Sequence, residues 1–370
     1  MSNSTNNRIE ILDGFRAISI LSVIFFHFFS RWTTPIADVN IYLYSHQFDF
    51  FRHGSLGVQF FFIISGFVIS YTLLNTDSVI IFWKKRMIRL FPAMFVASLA
   101  TYIFCSLFDN EYLFPASHNL RNLIPSLTFL SPSLLAKFHL LTNTISGSYW
   151  SLWPEIQFYF LASSMYFLNK KHFIRNFSVL CITLILINHL LLNVVTTNKL
   201  NIELPEVIIN FYKNWFLNCF NLLAHLPYFL MGTLLFDIYS KKQSSSPVNR
   251  NLIITILLMI YTLYGNHNSL ERCAILMAEF ILFMTFIYKP TYLNFCKNQY
   301  FTKIGKSSYF LYLIHEHIGI VLISIFAVDT FPLSLVFPIS LIIGLIALSI
   351  FYTQTLDKYI TSKLKKLLFK

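Results

Sequence analysis

Long apolar runs, each about the length of a membrane crossing, fill most of the 370-residue sequence. A helix needs about 20 predominantly apolar residues to span the hydrocarbon core of a bilayer. We place ten such runs, at residues 10–30, 55–74, 88–108, 149–168, 176–196, 219–239, 251–265, 271–288, 307–327 and 333–354. The pattern predicts an all-α, polytopic membrane protein with about ten transmembrane helices and a single domain over residues 1–370.

The composition agrees with this interpretation. Charged residues make up 12% of the chain, which is about half of their share in soluble domains. The net charge of +12 does not indicate nucleic-acid binding, because in a membrane protein the position of each Lys and Arg matters more than their sum. The five Cys lie in or beside apolar runs without the spacing of a zinc site. We therefore expect no bound metal or cofactor.

Lys and Arg residues are distributed unevenly between the two sets of loops. With ten spans and a cytoplasmic N-terminus, 20 of the 28 basic residues lie in cytoplasmic loops and termini and seven lie outside. Arg16 is left within a span. This bias follows the positive-inside rule, so we expect both termini to be cytoplasmic.

The first apolar run contains polar residues that are unusual in a membrane span, in the stretch LDGFRAISILSVIFFHFF at 12–29. Arg16 and His27 are eleven residues apart, which is about three helical turns, so both lie on one face about 16 Å apart along the axis. Charged residues in membrane spans usually face a polar cavity. The alternative is that Asp13 and Arg16 only pair at one helix end and that His27 caps the other.

A basic cluster, WKKRMIRLFP at 83–92, lies at the start of the third run. Arg86 and Arg89 are three residues apart and therefore share a helix face at the predicted cytoplasmic entrance. Guanidinium groups bind phosphate through paired hydrogen bonds, so this face is a candidate phosphate site. The alternative is topological anchoring or contact with anionic lipid.

A carboxylate follows the start of the fourth run, in GSYWSLWPEIQFYF at 147–160. Glu155 lies about two turns into this helix, at a depth comparable to that of His27. A histidine oriented by a carboxylate forms a general-base pair. The alternative is an acid near a helix N-terminus that is favoured by the helix dipole.

Two further segments are notable. The stretch SSYFLYLIHEHI at 307–318 has His315, Glu316 and His317 in mid-span, so at least some of them line an interior. They form either part of a site or a structural hydrogen-bond cluster. The glycine-rich run at 54–70 predicts close helix packing.

In this order, these stretches resemble the acyltransferase-3 family of integral membrane acyltransferases. The family pattern LDGLRAxAxxxVxxxH is similar to LDGFRAISILSVIFFH, and the pattern GxxGVxxFFxISGF is similar to residues 54–67. The R-x-x-R pattern is met by Arg86 and Arg89, WSLxxExxFY by residues 150–159 and SYxxYLxH by residues 308–315. The likeness extends over nearly the whole chain.

The resemblance implies a ten-helix bundle in a bacterial cytoplasmic (inner) membrane. Such a bundle transfers an acyl group, most often acetyl, from cytosolic acyl-CoA to a hydroxyl of a cell-surface or lipid-linked glycan. Its partners would be acyl-CoA as co-substrate, the glycan acceptor and membrane lipid. The site positions that carry over, or that we expect to line the site, are Asp13, Arg16, His27, Arg86, Arg89, Trp150, Glu155, Tyr159 and His315.

The sequence departs from the family at its C-terminal end. The stretch TLDKYI has Asp357 and Tyr359 where the family often has Glu and Pro, so the role of this end is open. The sequence ends about sixteen residues after its last span, and we expect no C-terminal esterase-like domain of the kind that some members carry.

A mechanism follows as a hypothesis. Arg86 and Arg89 would hold the CoA phosphates, and Arg16 would contact the donor along the route to His27. His27 would act as a general base oriented by Glu155, or would form a transient acyl-histidine. The competing class is a transporter or flippase of a glycan or lipid-linked intermediate, which predicts no dependence on CoA and often shows repeat symmetry that this sequence lacks.

Overall fold

The structure, a computed structural model, describes residues 9–32, 45–197, 204–244, 249–326, 328 and 330–369. These residues form α-helices joined by short 3-10 and π-helical turns, and no strand occurs within these ranges. The α-helices are α1 (Glu10–Phe26), α2 (Gly57–Leu74), α3 (Val79–Phe108), α4 (Leu123–Thr128), α5 (Pro132–Ala136), α6 (Leu152–Leu168), α7 (Phe173–Leu192), α8 (Glu206–Phe211), α9 (Leu222–Gln243), α10 (Asn249–Tyr264), α11 (Leu270–Tyr288), α12 (Gln299–Phe326), α13 (Leu333–Tyr352) and α14 (Lys358–Leu368). The predicted all-α fold is confirmed.

Each of the ten predicted apolar runs overlaps one of these helices. Within the described chain, seven helical segments are long and apolar enough to cross a membrane. They are Glu10–Arg31, Phe50–Leu74, Val79–Phe108, Lys170–Val195, Leu222–Gln243, Gln299–Phe326 and Leu333–Leu368. Helices α6 and α10 are shorter, and α11 carries three charged residues. The polytopic architecture is confirmed, whereas ten crossings and the side of both termini stay predictions.

Helices α2 and α9 have the most extensive contact in the bundle. At their crossing, Gly66 lies against the Phe229 carbonyl and Gly232 lies against the Ile63 carbonyl, with no room for a Cβ atom on either glycine. Lipid offers no hydrophobic drive for helices to associate, so close backbone approach at small residues supplies the packing energy. The predicted packing role of the glycine-rich run is confirmed.

Phenylalanine rings fill the centre of the bundle. Phe15 of α1 is fully buried, and its ring centroid is 5.3 Å from that of Phe60 and 5.1 Å from that of Phe283. Phe60 and Phe283 are in turn 5.6 Å apart at 86°. Such edge-to-face pairs add about 0.5–1.5 kcal/mol each beyond area burial. This cluster fixes α1 against α2 and α11.

Helix α12 packs against α1, α3 and α13 and therefore occupies the middle of the bundle. The polar residues of α12 are covered by these neighbours, and they meet the polar residues of α1 along their contact. The segment 122–138 forms the short helices α4 and α5, and α4 packs on α3. The α1–α12 contact thus determines where a site can lie.

Candidate active site

His27 lies where helix α1 changes into a π-helical turn, His27–Arg31. Its Nδ1 is 2.9 Å from the carbonyl oxygen of Val23, one turn earlier. A carbonyl can only accept, so Nδ1 carries a proton and Nε2 is the basic nitrogen of the neutral ring. The side chain is largely buried and points into the bundle, towards α12.

A buried carboxylate faces this basic nitrogen. The Nε2 of His27 is 3.2 Å from Oε1 of Glu316, and the other oxygen of Glu316 accepts a hydrogen bond from Ser146 Oγ at 3.2 Å. A carboxylate can only accept, so a proton taken up by Nε2 is donated to Oε1 of Glu316. The pair can therefore give or take a proton inside the bundle, which is the property required of an acid–base catalyst.

The neighbouring residue, His315, supports His27 from the other side of its ring. The Nδ1 of His315 is 2.8 Å from the Tyr312 carbonyl oxygen and therefore carries a proton. Its Nε2 is 3.1 Å from the Nδ1 of His27 and accepts a share of that N–H. His315 is fully buried and holds His27 in the tautomer that keeps Nε2 basic.

The third residue of this segment, His317, has a different position. Its Nε2 accepts from the Gly147 backbone N–H at 3.0 Å, so its Nδ1 donates to Ser117 Oγ at 2.7 Å, and that hydroxyl donates to the Ile145 carbonyl. The ring of Phe114 stacks on His317 at a centroid distance of 3.8 Å. His317 thereby ties the segment before α6 to α12.

Gly147 brings that segment against the carboxylate. A Cβ atom on Gly147 would lie 3.0 Å from Oε1 and 3.1 Å from Oε2 of Glu316, which is tighter than ordinary packing allows. The two alternatives for residues 307–318 apply to different residues. His315 and Glu316 contact His27 and belong to the candidate site, whereas His317 belongs to a structural hydrogen-bond cluster.

A second feature, the basic cavity, opens at the end of the bundle that carries the basic loops. Its volume is about 1150 Å³. Its lining includes eight cationic side chains: Arg16, Lys85, Arg86, Arg89, Lys303, Lys306, Lys358 and Lys365. Such a concentration of one charge in a concave site attracts a polyanion, and the guanidinium groups suit phosphate oxygens.

A narrow recess of about 80 Å³ shares Arg16, Arg86 and Arg89 with the basic cavity. Its lining reaches Tyr312, whose hydroxyl donates to the Ser148 carbonyl at 2.7 Å. The Tyr312 ring is 5.6 Å from that of His315, so this tyrosine separates the recess from the His27–Glu316 pair. The shared arginines, Tyr312 and His315 thus connect the basic cavity to the His27–Glu316 pair.

Arg86 is buried between the cavity and the recess. Its Nη2 donates to Thr72 Oγ1 at 2.8 Å, and its guanidinium lies over the rings of Phe82 and Tyr159. Its Nε is buried without a hydrogen-bond partner in the described chain. Arg86 therefore retains a donor for a ligand.

The sequence led us to expect Glu155 beside His27. The structure places Glu155 elsewhere. Glu155 Oε1 accepts from Ser65 Oγ at 2.7 Å and from Tyr159 OH at 2.6 Å, within the recess. The carboxylate beside His27 is Glu316 instead. Helix α6 starts at residue 152, so Glu155 lies on its first turn and faces α2.

Two other expected lining residues have mixed outcomes. Asp13 is fully buried and accepts from Arg16 Nη1 at 2.9 Å, so the i,i+3 pair exists while Arg16 also lines the basic cavity. Trp150 is 38% exposed and packs near His225 and Phe62. It is not among the described residues that line the cavity or the recess, and its place in the site stays a prediction.

Sequence reasoning missed Glu316 as the partner of His27 and did not single out the lysines of the basic cavity. The stretch at 307–318 gave a signal for Glu316, but no spacing rule relates it to a residue 289 positions earlier. Lys303, Lys306 and Lys365 were counted only as cytoplasmic charges. Their convergence depends on how α12 and α14 pack against α3.

The sequence model described as the acyltransferase domain matches residues 9–353 of this chain. Relatives match over shorter stretches. YrhL of Bacillus subtilis strain 168, provisionally named a peptidoglycan O-acetyltransferase, is 32% identical over 178 residues, which are 43% of this chain and 25% of YrhL. The O-acetyl transferase of Shigella phage Sf6 is 34% identical over 31% of this chain and 36% of its own length.

Acyltransferase MdmB of Streptomyces mycarofaciens is 34% identical over 124 residues, which are 32% of this chain and 30% of MdmB. These matches therefore extend over about a quarter to a third of each relative's length. No solved structure matches the chain.

Proposed function

This chain belongs to the acyltransferase-3 family, and from that premise we propose that it transfers an acetyl group from acetyl-CoA to a hydroxyl of a cell-surface or lipid-linked glycan. The observation that carries the proposal is the buried His27–Glu316 pair, which lies beyond a basic cavity of nucleotide size. YrhL and the phage protein are both named as O-acetyltransferases, which favours acetyl as the group and oxygen as the acceptor atom.

The basic cavity is proposed to hold the phosphates of the donor. Acyl-CoA carries its charge at the nucleotide end and its thioester at the end of a thin, flexible arm. Arg86 and Arg89 line both the cavity and the recess, so they can bind phosphate oxygens where the arm would leave towards His27. The cavity lies at the end with the basic loops, which we predict to be cytoplasmic, where acyl-CoA is found.

The His27–Glu316 pair is proposed to move the proton of the transfer. With the pair in its deprotonated form, Nε2 of His27 takes the proton of the acceptor hydroxyl as its oxygen attacks the thioester carbonyl. The C–S bond then breaks, the CoA thiolate leaves, and the imidazolium returns the proton to the sulfur. The products are an acetyl ester and free CoA. Glu316 faces the same nitrogen that takes the proton, and its negative charge stabilises the imidazolium between these steps.

Glu155 is proposed to act in the recess and not on the proton. Its hydrogen bonds fix Tyr159, whose ring lies against the guanidinium of Arg86. Glu155 would therefore help to position the arginine that binds the donor. His315 would act through His27 as a positioning residue.

The test combines a donor assay with an acceptor assay. Purified protein is supplied with acetyl-CoA and an extract of the surface glycan of the producing cells, and free thiol and base-labile acetate on the glycan are measured. The wild type should produce both, and His27→Ala should reduce both to background. His267→Ala, which changes an exposed histidine of the α10–α11 turn, is the matched control.

A transporter or flippase would give another result. Glycan would appear at the outer surface without thiol release and without new ester. The His27→Ala variant would then leave the ester content of the glycan unchanged. Near-normal ester formation by folded His27→Ala protein would remove His27 from the mechanism.

A further inference from the structure

One carboxylate lies among the cations of the basic cavity. Asp357 lies in the π-helical turn Thr353–Asp357 between α13 and α14, and it is the only acid among the described residues that line the cavity. Arg89 and Lys365 act on its charge from a distance. Within the described chain no cation is close enough to form a salt bridge with it. An acid that only neutralised the cavity would contact one of its cations.

The Oδ1 atom of Asp357 is buried and has no hydrogen-bond partner among the described residues. A buried acceptor without a partner destabilises a protein, so such an atom at a cavity wall indicates a ligand that supplies a donor. On the same cavity, Arg86 Nε is a buried donor that has no hydrogen-bond partner among the described residues. The two atoms together fit a ligand with both an anionic group and an N–H or O–H group.

An aromatic surface lies beside this acid. The rings of Phe310 and Tyr352 stack on each other at 3.7 Å and 14°, and both residues line the cavity, as does Phe369. Tyr352 precedes Asp357 by little more than one turn. Planar side chains next to cations form a suitable platform for a nucleobase.

We propose that Asp357 accepts a hydrogen bond from the exocyclic amine of the donor's adenine while the surrounding cations hold its phosphates. The inference rests on the proposed function, since it takes acyl-CoA as the donor. The amine suits this position because it lies on the same nucleotide as the phosphates and is a donor that a carboxylate accepts. Asp357 is then a binding residue that selects adenine nucleotides and takes no part in the transfer of the acyl group.

The test measures the affinity of the full-length protein, in lipid nanodiscs, for two nucleotides by calorimetry. One is acetyl-CoA, and the other is its 1,N6-etheno derivative, in which a ring closes over the adenine amine. The wild type should bind the etheno derivative about tenfold or more weakly, as expected for the loss of one charge-assisted hydrogen bond. Asp357→Leu should weaken acetyl-CoA binding by a similar factor and leave the affinity for the etheno derivative unchanged.

Two further variants separate hydrogen bonding from charge. Asp357→Asn keeps an acceptor oxygen and should retain most of the discrimination between the nucleotides. Asp77→Asn removes a charge from the exposed α2–α3 turn outside the cavity and should leave both affinities unchanged. If Asp357 acted only by its charge, Asn and Leu would tighten the binding of both nucleotides alike, and the inference would be overturned.

The remaining outcomes are also decisive. Equal binding of both nucleotides by the wild type would overturn this inference and leave the proposed function intact. Binding of neither nucleotide would contradict the CoA donor of the proposed function, and the inference would fall with it.

Discussion

The Nε2 of His27 lies 3.2 Å from Oε1 of Glu316, although the two residues are 289 positions apart. Helix α1 supplies the ring and helix α12 supplies the carboxylate. The Val23 carbonyl and His315 both hold the opposite nitrogen of the ring, so the histidine presents one nitrogen, in one tautomer, to one acid. This relationship makes the α1–α12 contact the place where proton transfer is expected.

The first prediction concerns which carboxylate serves His27. Glu316→Gln cannot stabilise the imidazolium by charge, and we expect kcat to fall by about 10²–10⁴-fold with little change in the KM for acetyl-CoA. Glu155→Gln is the comparison, since its carboxylate lies in the recess; it should raise the donor KM and lower kcat much less. Steady-state kinetics of both variants decide the matter. A larger kcat loss in Glu155→Gln would return the catalytic role to that residue.

The second prediction concerns Gly147, which packs against the carboxylate of Glu316. Gly147→Ala places a methyl group about 3 Å from both carboxylate oxygens, so the Glu316 carboxylate must shift by a few tenths of an ångström, and we expect its contact with Nε2 of His27 to be disturbed. We expect kcat to fall about tenfold or more, because small misplacements of catalytic groups are costly, while donor affinity stays unchanged. Gly344→Ala is the control, because no atom of the described residues lies within 4 Å of its Cβ position. A donor-affinity loss that equals the kcat loss would indicate general misfolding instead.

The third prediction concerns stability. Gly232→Ala forces a methyl group against the Ile63 carbonyl at the α2–α9 crossing, and backbone cannot yield as a flexible side chain can. We expect a loss of about 1–3 kcal/mol, which is typical of overpacking. Thermal unfolding in detergent should show a lower midpoint than for the wild type and for Gly344→Ala. An unchanged midpoint would mean that the two helices are not packed as closely as described.

The sequence was sufficient to predict where the helices lie and which residues of the first helix belong to one face. Hydropathy is a property of each segment alone, so the ten apolar runs could be matched to ten helices. Arg16 and His27 could be placed on one face because eleven residues form about three turns. In the structure Arg16 lines the basic cavity and His27 faces Glu316.

The sequence could not supply the pairing between helices. Glu155 and Glu316 both lie within predicted spans, and only packing decides which of them meets His27: α6 turns Glu155 towards Ser65 of α2, whereas α12 turns Glu316 towards α1. The orientation of Trp150 could not be derived from the sequence for the same reason. Trp150 lies in the 3-10 turn Gly147–Ser151. Hydrogen bonds of Ser148 and Ser151 with Tyr312 orient this turn and leave Trp150 on its exposed side.

The fourth prediction concerns the donor. Arg86 donates to Thr72 through Nη2, and its Nε, at the basic cavity, has no hydrogen-bond partner in the part of the chain that the structure describes. Lysine preserves the charge but cannot make paired hydrogen bonds to a phosphate, so Arg86→Lys should raise the Kd and KM for acetyl-CoA about tenfold with a smaller effect on kcat. Calorimetry and steady-state kinetics measure the two effects separately.

The control for this variant is Arg175→Lys, which changes an exposed arginine at the start of α7, outside the cavity. Its donor affinity should equal that of the wild type. Phosphate binding by several partly exposed cations also predicts that affinity falls as salt rises from about 0.05 to 0.5 M, because the Debye length shrinks below the width of the cavity. If Arg86→Lys bound acetyl-CoA as tightly as the wild type, and salt had no effect, the arginines would act only as topological anchors and the cavity would not be the donor site.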